Sequence, residues 1–143
     1  MRNSVKSLTT LIFIACLALT SLAASAVEKK IVLQISDNDP DKQTLVLNVA
    51  NNLLKAYKPG ELKLEIVAFG PGLLLLFQDN ANKDRVQSLA ASDVRFSACQ
   101  NTVKGMTRIL GHPPKLMKET VPVDAGVVRI VELTDQGYTL IRP

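Results

Sequence analysis

Two cysteines, Cys16 and Cys99, and one histidine, His112, are the side chains of this 143-residue sequence with the readiest nucleophilic or metal-binding chemistry. Cys99 directly follows the strand-like run Val94 to Ala98 and precedes Asn101 to Leu110, where Val103, Met106 and Leu110 recur at helical spacing. A thiol at the end of a strand that opens a helix lies near unpaired backbone N–H groups and the positive end of the helix dipole, and both favour the thiolate. That is the place for a nucleophile. The same position suits an inert thiol, because free cysteine is among the most buried residue types and packs well beside a strand. Asn101 and Thr102 fit as helix caps or as supports for the sulfur.

The remaining residues exclude most other chemistry. His112 falls after Gly111, at the far end of the helix that Cys99 begins, about 15 Å away at 1.5 Å per residue, so a Cys–His dyad is not expected. One cysteine and one histidine cannot fill a tetrahedral zinc site, and no metal is expected. Asp37, Asp39 and Asp41 alternate like the opening of a calcium loop, but Lys42 replaces the glycine and Asn48 the bidentate glutamate that such a loop requires. Neither a G-x-G-x-x-G run nor a P-loop lysine is present, so no nucleotide or other cofactor is expected.

A first segment must be set aside before the elements are read. Arg2 and Lys6 form a charged start, Leu8 to Leu22 is an apolar run, and Ala24-Ser25-Ala26 is a small-residue cleavage site, which together predict a signal peptide over 1–26. An uncleaved anchor would be the only route to a membrane. Export to the periplasm is expected, and removal of the leader takes Cys16 with it, leaving Cys99 as the one thiol of a single domain over 27–143. An internal disulfide is then excluded. The 27–143 segment carries a net charge of +2 and the chain has no Trp, too little positive charge and too few stacking rings to suggest nucleic-acid binding.

The elements that must position Cys99 alternate. Lys30 to Ile35 reads as a first strand, Asp39-Pro40 as a cap and helix start running to Lys58-Pro59-Gly60, and Leu62 to Phe69 as a second strand ended by Gly70-Pro71-Gly72. A short apolar helix over Leu73 to Phe77, a further turn at Val86 to Ala90, and the third strand at Val94 to Ala98 follow. After the helix at Asn101 to Leu110, a fourth strand falls within Leu116 to Val123. Asp124 is placed as the cap of a helix burying Val127, Ile130 and Val131, and Tyr138 to Ile141 is the last strand. This alternation predicts an α/β fold, a flavodoxin-like three-layer sandwich on a mostly parallel five-stranded sheet, with order 2-1-3-4-5. In that order a crevice opens between strands one and three, lined by Cys99, Asn38 and the Gly70 to Gly72 turn.

The segments Gly70-Pro71-Gly72-Leu73, Phe96-Ser97-Ala98-Cys99-Gln100-Asn101-Thr102, Val123 to Leu133 and Gly137 to Pro143 give the sequence a resemblance to the DsrE/DsrF-like (YchN-like) family. The resemblance implies the same sandwich. It also implies sulfur relay, in which a cysteine carries sulfane sulfur as a persulfide and passes it to a thiol on a partner protein; here that role maps onto Cys99 alone. Assembly as a homo-oligomer, a trimer or hexamer, is implied as well. The alternative expectation is a non-enzymatic module of the same fold that binds a small ligand or partner and whose cysteine is structural, with Asn38, Gly70, Gly72, Asn101 and Thr102 around the crevice. A third is that Cys99 forms a disulfide between chains or responds to redox conditions.

Overall fold

The computed structural model describes residues 28–143; the expected leader lies outside them. The elements run β1 (Lys29–Ile35), α1 (Pro40–Ala56), β2 (Leu62–Ala68), a 3-10 segment (Gly70–Leu76), α2 (Lys83–Ala90), β3 (Arg95–Cys99), α3 (Gln100–Leu110), β4 (Thr120–Val123), α4 (Gly126–Asp135) and β5 (Thr139–Ile141). Local chemistry sets the boundaries. Asp39 caps α1 by accepting the Asp41 N–H at 2.8 Å, and Pro40 occupies the first helical position, where its missing N–H costs nothing. Gly111, with φ 77°, closes α3 in the left-handed conformation that a residue bearing a Cβ adopts at a cost.

All strand pairs are parallel, and the sheet has the order β4-β3-β2-β1-β5. The expected α/β sandwich on a five-stranded parallel sheet is present; the strand order differs from the expected 2-1-3-4-5. The difference has a physical reason. β2 is buried without a break from Leu64 to Ala68, which requires a neighbour on each side and a covered surface on each face, whereas the expected order would leave it at an edge. Glu65, in the middle of that run, is buried with it.

The order also determines the layers. From β1 to β4 the chain steps in one direction, so the right-handed rule puts α1, the 3-10 segment with α2, and α3 on one face. There Ile31, Leu33, Ile66, Phe96 and Ala98 of the strands pack with Val46 and Leu47 of α1, Leu73 to Leu76 and Val86 in one large core. The last crossover returns to the far side of β1, and α4 alone covers the opposite face, where Ile130 and Leu133 pack on Val32 and Val67 in a smaller core.

Two expectations about α4 are corrected. Ile130 is buried, but Val127 and Val131 are 58% and 53% exposed, because the one face of α4 that meets the sheet carries Gly126, Arg129, Ile130 and Leu133. Asp124 does not cap the helix. The cap position belongs to Ala125, which has no side-chain cap bond, and the Asp124 carbonyl instead accepts the Asn101 N–H at 3.2 Å. Among the described residues no helix is long and apolar enough to cross a membrane.

Candidate functional site around Cys99

Reordering the strands moves the site. Winding now reverses between β1 and β5, so the switch-point crevice belongs there, where Asp37 meets Arg142 at 3.9 Å and Lys42 at 3.1 Å. Cys99 is not at that point. It ends β3, paired in register with Val123 of β4, and it is the cap residue of α3. Asn38 follows β1, two strands from β3, or about 10 Å at the usual strand spacing, and it is exposed. The structure does not bring Asn38 to the sulfur.

Strand alternation decides which side the thiol takes. Ala98 belongs to the large core, so Cys99 and Ser97 face the other way, beneath α4. Cys99 is a free thiol and only 5% exposed. Its neighbours are nonetheless polar donors. Burial alone pushes the Cys99 thiol up, but the Thr102 hydroxyl and the backbone N–H groups of Gly126, Thr102 and Asn101 act on the sulfur in the opposite sense. They prevail, and the thiol pKa falls below its ordinary value.

These donors come from two helices. Asn101 and Thr102 belong to the first turn of α3, which the cysteine itself caps, whereas Gly126 is the first residue of α4. Both helices point their positive ends at one atom. Gly126 can come this close because it lacks a side chain: a Cβ there would stand 2.9 Å from Phe69 Cβ and 3.0 Å from Phe69 Cδ1. The sequence reading missed Gly126. The available signal was a glycine directly at the start of an apolar helix, where it is a poor helix former and therefore needs another reason to be present.

Thr102 links the cysteine to the glycine turn. Its Oγ1 accepts the Gly70 N–H at 2.9 Å, and the same hydroxyl is among the groups that lower the Cys99 pKa. Thr102 joins the glycine turn to the start of α3, and the Asn101 N–H, which donates to the Asp124 carbonyl at 3.2 Å, also lies among the groups that lower the Cys99 pKa. Gly70 and Gly72 divide their roles. Gly70 reaches the site through Thr102, while Gly72 packs the turn onto the end of β1, where a Cβ would lie 2.4 Å from the Ile35 carbonyl oxygen. His112 lies at the opposite end of α3, exposed, with Nδ1 3.1 Å from the Pro113 carbonyl.

Cavities of about 320 to 730 Å³ open elsewhere on the described residues, lined by residues other than Cys99, Asn38, Gly70, Gly72, Asn101 and Thr102. The one of about 730 Å³ lies at the other end of the sheet, between Tyr57, Lys58, Leu62 and Tyr138. No family model matches the chain, and no curated protein matches it. A solved structure from Methanobacterium thermoautotrophicum, the protein of unknown function MTH1491, is similar to it at 28% identity with a TM-score of 0.72. The match covers 81% of this chain and 100% of that one. It supports the fold and assigns no activity.

Proposed function

We propose that this chain is a sulfur carrier of the DsrE/DsrF kind, in which Cys99 accepts and passes on sulfane sulfur. The observation that carries the reading is the set of donors gathered on one sulfur. A cysteine that only fills space has apolar neighbours, whereas Cys99 has a hydroxyl and backbone N–H groups from two helix starts. Donors of this kind stabilise a thiolate both as attacking group and as leaving group.

The chemistry balances without an external oxidant. The Cys99 thiolate attacks the outer sulfur of a donor persulfide; a sulfur–sulfur bond forms to Cys99, the donor's own sulfur–sulfur bond breaks, and the donor leaves as a thiolate. A partner thiolate then attacks the outer sulfur on Cys99, which departs as the thiolate that the surrounding N–H groups favour. Thr102 and the backbone of Asn101 and Gly126 hold the charge in both steps.

The reading includes a homo-oligomer and a thiol-bearing protein partner. Val127, Val128 and Val131 on the outer side of α4 are each more than half exposed, which suits a face covered by another chain. The deciding experiment is intact mass of the exported protein before and after a polysulfide donor, with Cys99→Ser beside it. A gain of about 32 Da per sulfur, removed by reductant and absent from the variant, supports the carrier. A thiol that gains no sulfur and labels only on unfolding overturns it.

A further inference from the structure

We infer that the ion pair between buried Glu65 and partly exposed Arg129 is a positioning device for Cys99, fixing the start of α4 over the sulfur; the inference rests on the sulfur-carrier reading. Glu65, at 2% exposure, is a buried acid in the middle of β2. Its Oε1 accepts the Ser97 hydroxyl at 2.6 Å and Arg129 Nε at 2.9 Å, and its Oε2 accepts Arg129 Nη2 at 2.8 Å, with Arg95 Nε at 3.6 Å. Ser97 precedes Cys99 by two residues on the same face of β3. Arg129 follows Gly126 by three residues, one turn along α4. A single carboxylate therefore grips the strand that carries the sulfur and the helix that carries the donor N–H, each close to the pair that must meet.

An apolar pair of similar volume would stabilise the fold as well or better, so stability does not account for burying these charges. Geometry does. The contacts of α4 in the small core, Ile130 and Leu133 with Val32 and Val67 and with Phe69 and Tyr138 at the margin, are apolar contacts without direction that permit a helix to slide along its axis. A bidentate guanidinium–carboxylate fork does not permit it. A slide of about 1 Å is enough to take an N–H out of hydrogen-bond range. Arg129 and Glu65 touch neither the sulfur nor its reaction partner, and they act through Gly126 and Ser97.

The test is the pH profile of Cys99 alkylation by iodoacetamide in the purified protein, for wild type, Arg129→Met, Arg129→Lys and the double variant Glu65→Leu/Arg129→Met. The double variant leaves no orphaned buried charge and so preserves the fold if Arg129→Met alone does not. Loss of the fork is expected to raise the thiol pKa and slow alkylation at neutral pH by up to about tenfold, the usual scale for a hydrogen bond to a charged group. Arg129→Lys is expected to recover part of the loss. Leu47→Ala, which opens a cavity in the core of the other face, controls for loss of stability and is expected to leave the profile in place. A wild-type profile in the folded double variant, or an equal shift in Leu47→Ala, overturns the positioning role while the carrier reading stands. A wild-type thiol that reacts only on unfolding overturns the carrier reading and this inference with it.

Discussion

Cys99 and Gly126 begin two different helices, and the backbone N–H of the second acts on the sulfur of the first. The contact depends on the absence of a side chain at position 126, where a Cβ would stand 2.9 Å from Phe69 Cβ. Gly126→Ala is therefore expected to push the start of α4 away from the sheet. The variant should lose about 1–3 kcal/mol of stability from overpacking. It should also raise the thiol pKa, read as slower alkylation at neutral pH. A variant that loses stability but keeps the wild-type pH profile would show that another donor replaces this N–H.

Thr102 serves two partners with one hydroxyl, accepting from Gly70 N–H at 2.9 Å and helping to hold the Cys99 thiol pKa below its ordinary value. Thr102→Val keeps the shape and removes both functions, leaving the Gly70 N–H without its partner in a half-buried turn. A loss of about 1–3 kcal/mol is expected in denaturant unfolding, together with a higher Cys99 pKa. Thr102→Ser restores the hydroxyl and should recover the pKa even if it costs some packing. Recovery of stability without recovery of the pKa would separate the two roles.

The depressed thiol pKa carries a stability consequence whose sign is fixed. In the pH range between the folded thiol's pKa and the unfolded value of about 8.5, the unfolded chain holds a proton at Cys99 that the native state has released. Stability therefore rises with pH across that window, is fully present above it, and is lost as pH falls through the folded value. Cys99→Ser removes the term. The stability difference between wild type and this variant should widen in favour of wild type from neutral pH to about pH 9 and then level off. A difference that is flat across the window would mean that the thiol is not held as a thiolate.

Much of the fold was legible because it rests on local signals. The Asp39-Pro40 cap, the Gly111 stop and the strand run before Cys99 are read from adjacent residues, and each lies where the structure has it. Strand order is different in kind, since it depends on which strand is covered on both faces, and the partners that bury Glu65 within β2 are distant in sequence. A glutamate in a run such as Leu64 to Ala68 reads as a solvent-facing position until its partners, 32 and 64 residues further along the chain, are known. The site shows the same division. Cys99, Thr102 and Gly70 were accessible to sequence reasoning because a strand end, a helix start and a turn are local features, while Gly126, Arg129 and Ser97 depend on α4 crossing to the other face. Asn38 was misplaced for the same reason, because its position beside the cysteine followed from an assumed strand order.

Asn38 and Gly72 now make opposing predictions that test the observed topology. Asn38 is exposed after β1, with β2 between its strand and β3, so Asn38→Ala is expected to change neither stability by more than about 0.5 kcal/mol nor the alkylation profile of Cys99. Gly72 is buried, with the Ile35 carbonyl oxygen 2.4 Å and the Ser36 nitrogen 2.7 Å from where a Cβ would stand. Backbone atoms of a central strand cannot give way as a flexible side chain does. Gly72→Ala is expected to cost about 3 kcal/mol, the top of the usual range for overpacking, and to shift thermal unfolding by well over 5 °C. The adjacent order 2-1-3 would instead put Asn38 beside Cys99, and a strong effect of Asn38→Ala on thiol reactivity would favour that order over the one described here.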